Sequence, residues 1–367
     1  VSAFLLAARR TAVVPRGGAF AALEIHQLAA PVIAAVLADA GLEAGCVEEL
    51  ILGNALGAGG NPARLAALAA GLPEAVAGLS IDRQCAGGLD ALRIAAAMVE
   101  AGQAEVVLAG GVESYSRRPL RLRTFADGRS PEPYEQPNFA PDPARDVDMA
   151  EAADALGRAL GISRADQDAW AIRSHARALA AGPCAGIVPL AGIRQDPFAR
   201  VLSAGVAARA ARVTGEITAA NAAVAADGAA VCVVVSERVA AGCGLRIAGS
   251  ATLGADPMEP GIAPLAAIEA ALRAASIGAR YLSVAEIMEA YAVQALACIG
   301  GAGIDPEIVN LGGGALARGH PIGASGAVLA VRLFHEMQVQ GGTGLAAIAA
   351  AGGLGSALVL RSESVSS

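Results

Sequence analysis

The chain has 367 residues, 55% hydrophobic and 17% charged, with a formal net charge of −7. That size and apolar content imply two or three packed domains and exclude a disordered chain. The negative charge argues against nucleic acid or an acidic membrane surface as the main partner. Ala-rich runs broken by charges such as Glu269 and Arg273 argue against a transmembrane helix.

The opening VSAFLLAARRTAVVP has neither the basic start nor the cleavage site of a leader, so it reads as a first strand and the protein as cytoplasmic. A helix is predicted over 27–40, followed by a strand over 47–53. A strand over 78–82 leads into a helix over 85–101, then a strand over 104–109 that stops at Gly110-Gly111. Strands alternating with helices predict an α/β layered fold. Residues 117–145 break the pattern with Arg and Pro, which marks a surface excursion. In that excursion, Arg117, Arg118, Arg121 and Arg123 are either a solvated loop or contacts to phosphates or to a neighbouring subunit, with the solvated loop the more usual case. Helices return over 149–181, where Ser163 and Asp166 form a capping-box pattern before Trp170. After an irregular stretch at 183–215, a strand over 229–235 resumes the core pattern, which continues to the end.

The two flanking parts repeat one unit. Cys85 and Gly87-Gly88 open a helix that leads to AEVVLAGG; Gly323, Ser325 and Gly326 open one that leads to GLAAIAAAGG. A strand–glycine turn–helix–strand unit in each half suggests a duplicated fold.

All cationic residues except histidine are Arg, which removes Schiff-base and P-loop lysine chemistry. The cysteines are scattered and the four His lie far apart, so no metal site is expected. Cys85 stands out among them. At the start of a helix its thiol would lie among unpaired N–H groups, which can lower a cysteine pKa into roughly 3.5–7.5. A packed core cysteine is the competing reading. His320, in the glycine-rich NLGGGALARGHPIGASGAV (310–328), is a poor core choice and well suited to aim a ring nitrogen into a cleft.

Together, DRQCAGGLDAL, LAGGVESYS, MEAYA, GGGALARGHPIGASGA and GLAAIAAAGGLGSAL resemble the thiolase family over nearly the whole chain. The resemblance implies a duplicated five-layer α/β/α/β/α fold with an inserted loop domain. The halves would be 1–116 with about 225–243, and 244–367; the loop domain would be 117–224. It also implies a homodimer or homotetramer, and coenzyme A or acyl-CoA as substrate with no tightly bound cofactor. Cys85 would be the acyl-accepting nucleophile and His320 the group that activates it and helps hold the thioester oxygen. Met149 would lie near the acyl end, and Ala223 and Ala290 along the substrate.

The chain departs from the family at chemically important positions. Ala349 stands where the family has a second cysteine, the acid/base for the substrate's α-carbon. Ala351 replaces the first glycine of the following Gly-Gly-Gly, whose amide lines an oxyanion hole. The Asn-Glu-Ala-Phe motif reads Met288, Glu289, Ala290, Tyr291; Asp148 replaces a histidine, and Ala223 a serine. The expected function is therefore an acyltransferase forming an acyl-Cys85 intermediate, with carbon–carbon bond chemistry impaired or altered. The alternative is a non-catalytic acyl-CoA-binding or structural subunit. A ketosynthase-type condensing enzyme fits less well, because Met288 occupies the position of a needed polar partner.

Overall fold

The computed structural model of the protein describes residues 2–362 except 58, 183 and 185. In chain order the main elements are β1 (Ala3–Arg10), α1 (Ile25–Ala40), β2 (Glu49–Gly53), α2 (Pro62–Ala69), β3 (Leu79–Ile81), α3 (Gly87–Glu100) and β4 (Val106–Glu113). Two helices, α4 (Met149–Leu160) and α5 (Arg164–Ala180), lie in the intervening segment. The core then resumes with β5 (Ala226–Ser236), β6 (Leu245–Gly254), α6 (Pro264–Ala274), β7 (Val284–Ile287), α7 (Ala292–Ala302), α8 (Ile322–Gln340), β8 (Thr343–Ala350) and β9 (Leu354–Arg361).

The strands join in the order β7-β8-β9-β6-β1-β5-β4-β2-β3, and the short strand Val14–Pro15 pairs with β5. Each half carries the same pattern. A parallel pair (β2 with β4, β7 with β8) is followed by antiparallel neighbours, β5 then β1 in one half and β9 then β6 in the other. The halves meet through β1 and β6 at only Phe4–Arg246 and Leu5–Leu245.

Strand alternation sorts the side chains into three cores, which stack the elements in five layers. Along β5, Val231, Val233 and Val235 face a core with α1 and α2, whereas Ala230, Cys232 and Val234 face α3 and α8. On the other half, Ala346 and Ile348 of β8 face the α3–α8 core, while Leu345 and Ala347 face α6 and α7. The sheets are thus buried on both faces, with α3 and α8 as the shared middle layer. Those two helices touch backbone to backbone. A Cβ on Gly88 would lie 2.6 Å from Ala327 N, and one on Gly326 2.5 Å from Leu89 N, so neither position admits a side chain.

Several expected boundaries move by a few residues, and two of the shifts bear on the site. The strand predicted to stop at Gly110-Gly111 runs on to Glu113, because those glycines sit where neighbouring backbone leaves no room for a Cβ. The helix predicted from residue 85 begins at Gly87. Gln84 takes a left-handed conformation (φ 47°) and Gln84–Ala86 form a 3₁₀ turn that seats Cys85 ahead of the helix. The capping box at Ser163 and Asp166 is present, and it opens α5.

One buried charge network braces the loop before α8. Asp196 accepts two bonds from Arg10 (2.7 and 2.8 Å), one from Arg318 Nε (2.8 Å) and one from Val13 N (2.8 Å). Arg318 in turn donates to the carbonyls of Gly312, Gly313 and Gly314. Among the described residues no helix is long and apolar enough to cross a membrane, and no group of three His, Cys, Asp or Glu could hold a metal ion.

Candidate active site

The structure brings Cys85 and His320 together from opposite halves. Cys85 lies two residues before the first residue of α3, and His320 two before that of α8. His320 Nε2 is 3.1 Å from Cys85 Sγ, and Nδ1 is 2.6 Å from Ser325 Oγ. Ser325 Oγ also lies 3.2 Å from the Pro321 carbonyl, which can only accept. The hydroxyl therefore donates to Pro321 and accepts from Nδ1–H, which leaves Nε2 unprotonated and facing the thiol. The His320 backbone is fixed as well, since its N–H donates to Val224 O (2.8 Å) beside a bridge to Ala225.

The expected low thiol pKa is not found. Loss of water pushes Cys85 up to about 12, and the nearby carboxylates of Glu113 and Asp82 add to the rise. The Cys85 and Ala351 amides oppose it. Burial also pushes His320 down to about 4. Both residues remain partly exposed. The resting pair is thus neutral thiol beside neutral imidazole, because desolvation outweighs the helix-terminus field.

The other predicted positions separate into two groups. Ala351 brings its amide to Cys85 and has negative φ, so its methyl costs the turn nothing; the left-handed positions there are Gly352 and Gly353. Ala349 sits on β8 in register with Gly355 and carries no proton to give. Ala223 N donates to Ala290 O (2.9 Å), beside the isolated bridges Ala222–Tyr291 and Ala225–His320, which places these two residues on adjoining loop segments next to His320. Met149 is the first residue of α4, and Asp148 caps that helix by accepting from Ala150 N and Glu151 N. Met288 is buried in the middle layer. The small cavity it lines, about 20 Å³, includes Ser325 and Pro321 but neither Cys85 nor His320.

Three possible substitute bases are ruled out by their surroundings. Glu289 accepts from Trp170 Nε1 (2.9 Å), Ser174 Oγ (2.7 Å), Asn310 Nδ2 (2.8 Å) and Leu316 N (3.2 Å). It ties α5 to the loops of the second half and has no free lone pair aimed at a substrate. Cys298 is buried in α7, with its sulfur 3.2 Å from Gly261 O. Glu113 is likewise occupied, accepting from Asn54 Nδ2, Ala55 N and Gly323 N at 2.9–3.0 Å.

Sequence reasoning missed three residues. Ser325 was legible only as part of a glycine-rich helix start, although its spacing of five from His320 was visible. Tyr115 and Tyr291 also went unread as chemistry. Each lies within electrostatic reach of Cys85, and burial holds both hydroxyls above the ordinary tyrosine range.

Comparison with known proteins agrees with this architecture. Residues 3–238 match the family described as thiolase, N-terminal domain, and residues 243–362 match thiolase, C-terminal domain. The chain is 38% identical to "Putative acetyl-CoA C-acetyltransferase YhfS" of Bacillus subtilis (strain 168), over 98% of this chain and 99% of that protein. It is 34% identical to "Putative acetyl-CoA C-acetyltransferase VraB" of Staphylococcus aureus (strain MRSA252), over 97% and 98%. The crystal structure of the Bacillus anthracis acetyl-CoA acetyltransferase superposes with a TM-score of 0.91 at 34% identity, covering 99% of each chain. Human mitochondrial 3-ketoacyl-CoA thiolase in complex with CoA gives 0.92 at 28% identity, covering 99% of this chain and 98% of that one.

Proposed function

The chain belongs to the thiolase family and is an acyltransferase of that family. On that premise, we propose that it takes an acyl group from an acyl-CoA or 3-ketoacyl-CoA onto Cys85 and passes it on from there. The observation that carries this reading is the 3.1 Å contact between Cys85 Sγ and His320 Nε2, with the tautomer set by Ser325.

The geometry supports the following sequence. Cys85 begins as a thiol, so its proton moves to Nε2 as sulfur attacks the thioester carbonyl. The imidazole, neutral at rest, becomes an imidazolium whose Nε2–H returns the proton to the departing CoA sulfur. The Cys85 and Ala351 amides that face the sulfur supply dipoles for charge developing beside it. Alanine at 349 and methionine at 288 leave the α-carbon chemistry without the thiol and amide other members use, so this part of the reaction is altered. Coenzyme A enters past α4, with Met149, Ala223 and Ala290 along its path, and the protein works as a homodimer or homotetramer in the cytoplasm.

A non-catalytic acyl-CoA-binding role is less well supported, because a binding protein has no use for a base fixed against a thiol. Intact-mass measurement after mixing with acetyl-CoA tests the proposal. A 1:1 acetyl adduct that disappears in Cys85→Ala is expected, and a wild-type protein that never acylates refutes it.

A further inference from the structure

The first turn of α8 carries Ser325, which sets the His320 tautomer, and it needs a cap that its own sequence does not supply. Pro321 stands at the N-cap of this 19-residue helix and offers no side-chain acceptor. The missing acceptor comes from the other half of the fold. Glu113 Oε2, at the end of β4 and 210 positions earlier, accepts from Gly323 N (3.0 Å). A carboxylate there satisfies one of the helix's free N–H groups and places negative charge at the positive end of its dipole. Gly323 admits it because it has no side chain; a Cβ would lie 2.9 Å from Glu113 Oε2 and 2.7 Å from Asn54 Cα.

The same buried carboxylate also holds the segment joined to the nucleophile's approach. Oε2 accepts from Ala55 N (2.9 Å) and Oε1 from Asn54 Nδ2 (2.9 Å), while Leu56 N reaches both oxygens at 3.3 Å. Asn54 N in turn donates to the carbonyl of Ile81 (3.0 Å), the last residue of β3, from which the chain runs directly into the Cys85 turn. On the helix side, the Gly323 carbonyl closes on Gly53 and Gly111, where a Cβ would come within 2.6 and 2.3 Å of it. One side chain thus bonds both the turn that follows His320 and the loop tied to the strand before Cys85. None of its hydrogen bonds goes to Cys85 or His320 themselves.

We propose that Glu113 is a positioning residue, the clamp that keeps His320 Nε2 at bonding distance from Cys85 Sγ. This inference rests on the acyl-Cys85 reading above. The clamp needs an oxygen with the reach to take Gly323 N and Ala55 N together. Glutamine has that reach and one such oxygen. Burial raises the Glu113 carboxyl to about 7, and a proton carried on Oε1 likewise leaves Oε2 free to accept, so the clamp holds in both protonation states. Aspartate keeps the charge but is one methylene shorter, so it cannot span from β4 to both amides. Slack of about 1 Å between reacting groups costs about a hundredfold. The loss falls on proton transfer to Nε2 and not on thiolate already formed, so it disappears once the base is removed.

The test compares Glu113→Gln and Glu113→Asp, each with His320 intact and in a His320→Asn background, with folding checked by circular dichroism. Two readouts are taken at pH 7: alkylation of Cys85 by iodoacetamide, from the mass of its peptide, and acetylation by acetyl-CoA, from intact mass. With His320 present, Glu113→Asp should lower both rates about 10–100-fold, while Glu113→Gln stays within about fivefold of wild type. In the His320→Asn background Glu113→Asp should change alkylation by less than about twofold, a dependence on the base that a merely structural role would not give. Asn54→Ala, which removes the Oε1 partner, should show the same pattern at about 3–10-fold and carries the test if Glu113→Asp does not fold. Equal rates in Glu113→Asp and Glu113→Gln, or a loss that persists without His320, would overturn the proposal. A wild type that acetylates while the variants show no such split loses this inference alone. A wild type that never acetylates removes the acyltransfer reading, and this inference with it.

Discussion

The His320–Cys85 contact makes a prediction about pH that a preformed ion pair would not. With the thiol pushed up to about 12, only about one part in 10⁵ is thiolate at pH 7. Attack in the wild type therefore depends on proton transfer to Nε2 across the 3.1 Å contact rather than on standing thiolate. Burial keeps the imidazole neutral down to about pH 4, so wild-type reactivity should be nearly flat from pH 5 to pH 9 and fall below about 4 as Nε2 becomes protonated. His320→Asn keeps similar bulk but offers no base. Its rate should drop about 10²–10⁴-fold at pH 7 and climb roughly tenfold per pH unit, following the thiolate. The assay is stopped-time alkylation of Cys85 by iodoacetamide, read by mass across pH 4–10. A wild type whose rate rises with pH as steeply as the variant's, or a variant as fast as wild type at pH 7, would refute the reasoning.

Ser325→Ala leaves His320 Nδ1–H without its 2.6 Å acceptor in a buried setting, which costs about 1–3 kcal/mol; Cys85 acylation should fall about 10–100-fold, as measured by time-resolved intact mass. Asp196→Asn removes the anion between two buried guanidiniums and should lower unfolding stability by about 3–5 kcal/mol in urea titrations. Because those guanidiniums hold the Asp196 carboxyl below the usual carboxylate range, its stabilisation is complete above about pH 4 and is lost as pH falls further. The variant should therefore lose part of the acid dependence of stability. Ala349→Cys restores an exchangeable proton on β8, and exchange of acetyl-CoA α-protons with deuterated water, followed by NMR, should rise about a hundredfold or more.

What the sequence revealed and what it hid follow from the range over which each feature acts. Cys85 and His320 were legible because each sits in a local glycine frame, and the layered fold because strand and helix periods are local. The charge state of the pair was not, since helix-terminus position is visible in a few residues while desolvation depends on the packing of both halves. The Arg10–Asp196–Arg318 network joins three segments far apart in the chain, one of them in an irregular stretch with no pattern to read. Tyr291 looked like a mild change from phenylalanine, and its place beside α4 emerged only once the loop segment bridged through Ala222 was folded against it.

The nucleophile and its base stand at matching positions of the repeated unit, each two residues ahead of its own middle-layer helix. Two separate half-length chains pairing symmetrically would bring the same residue to both positions, thiol against thiol or imidazole against imidazole. Joining the two copies into one polypeptide is what lets the positions differ. The asymmetry that acid–base chemistry needs is thus supplied by linkage, and the seam of glycines that presses α3 onto α8 keeps the unlike pair at bonding distance.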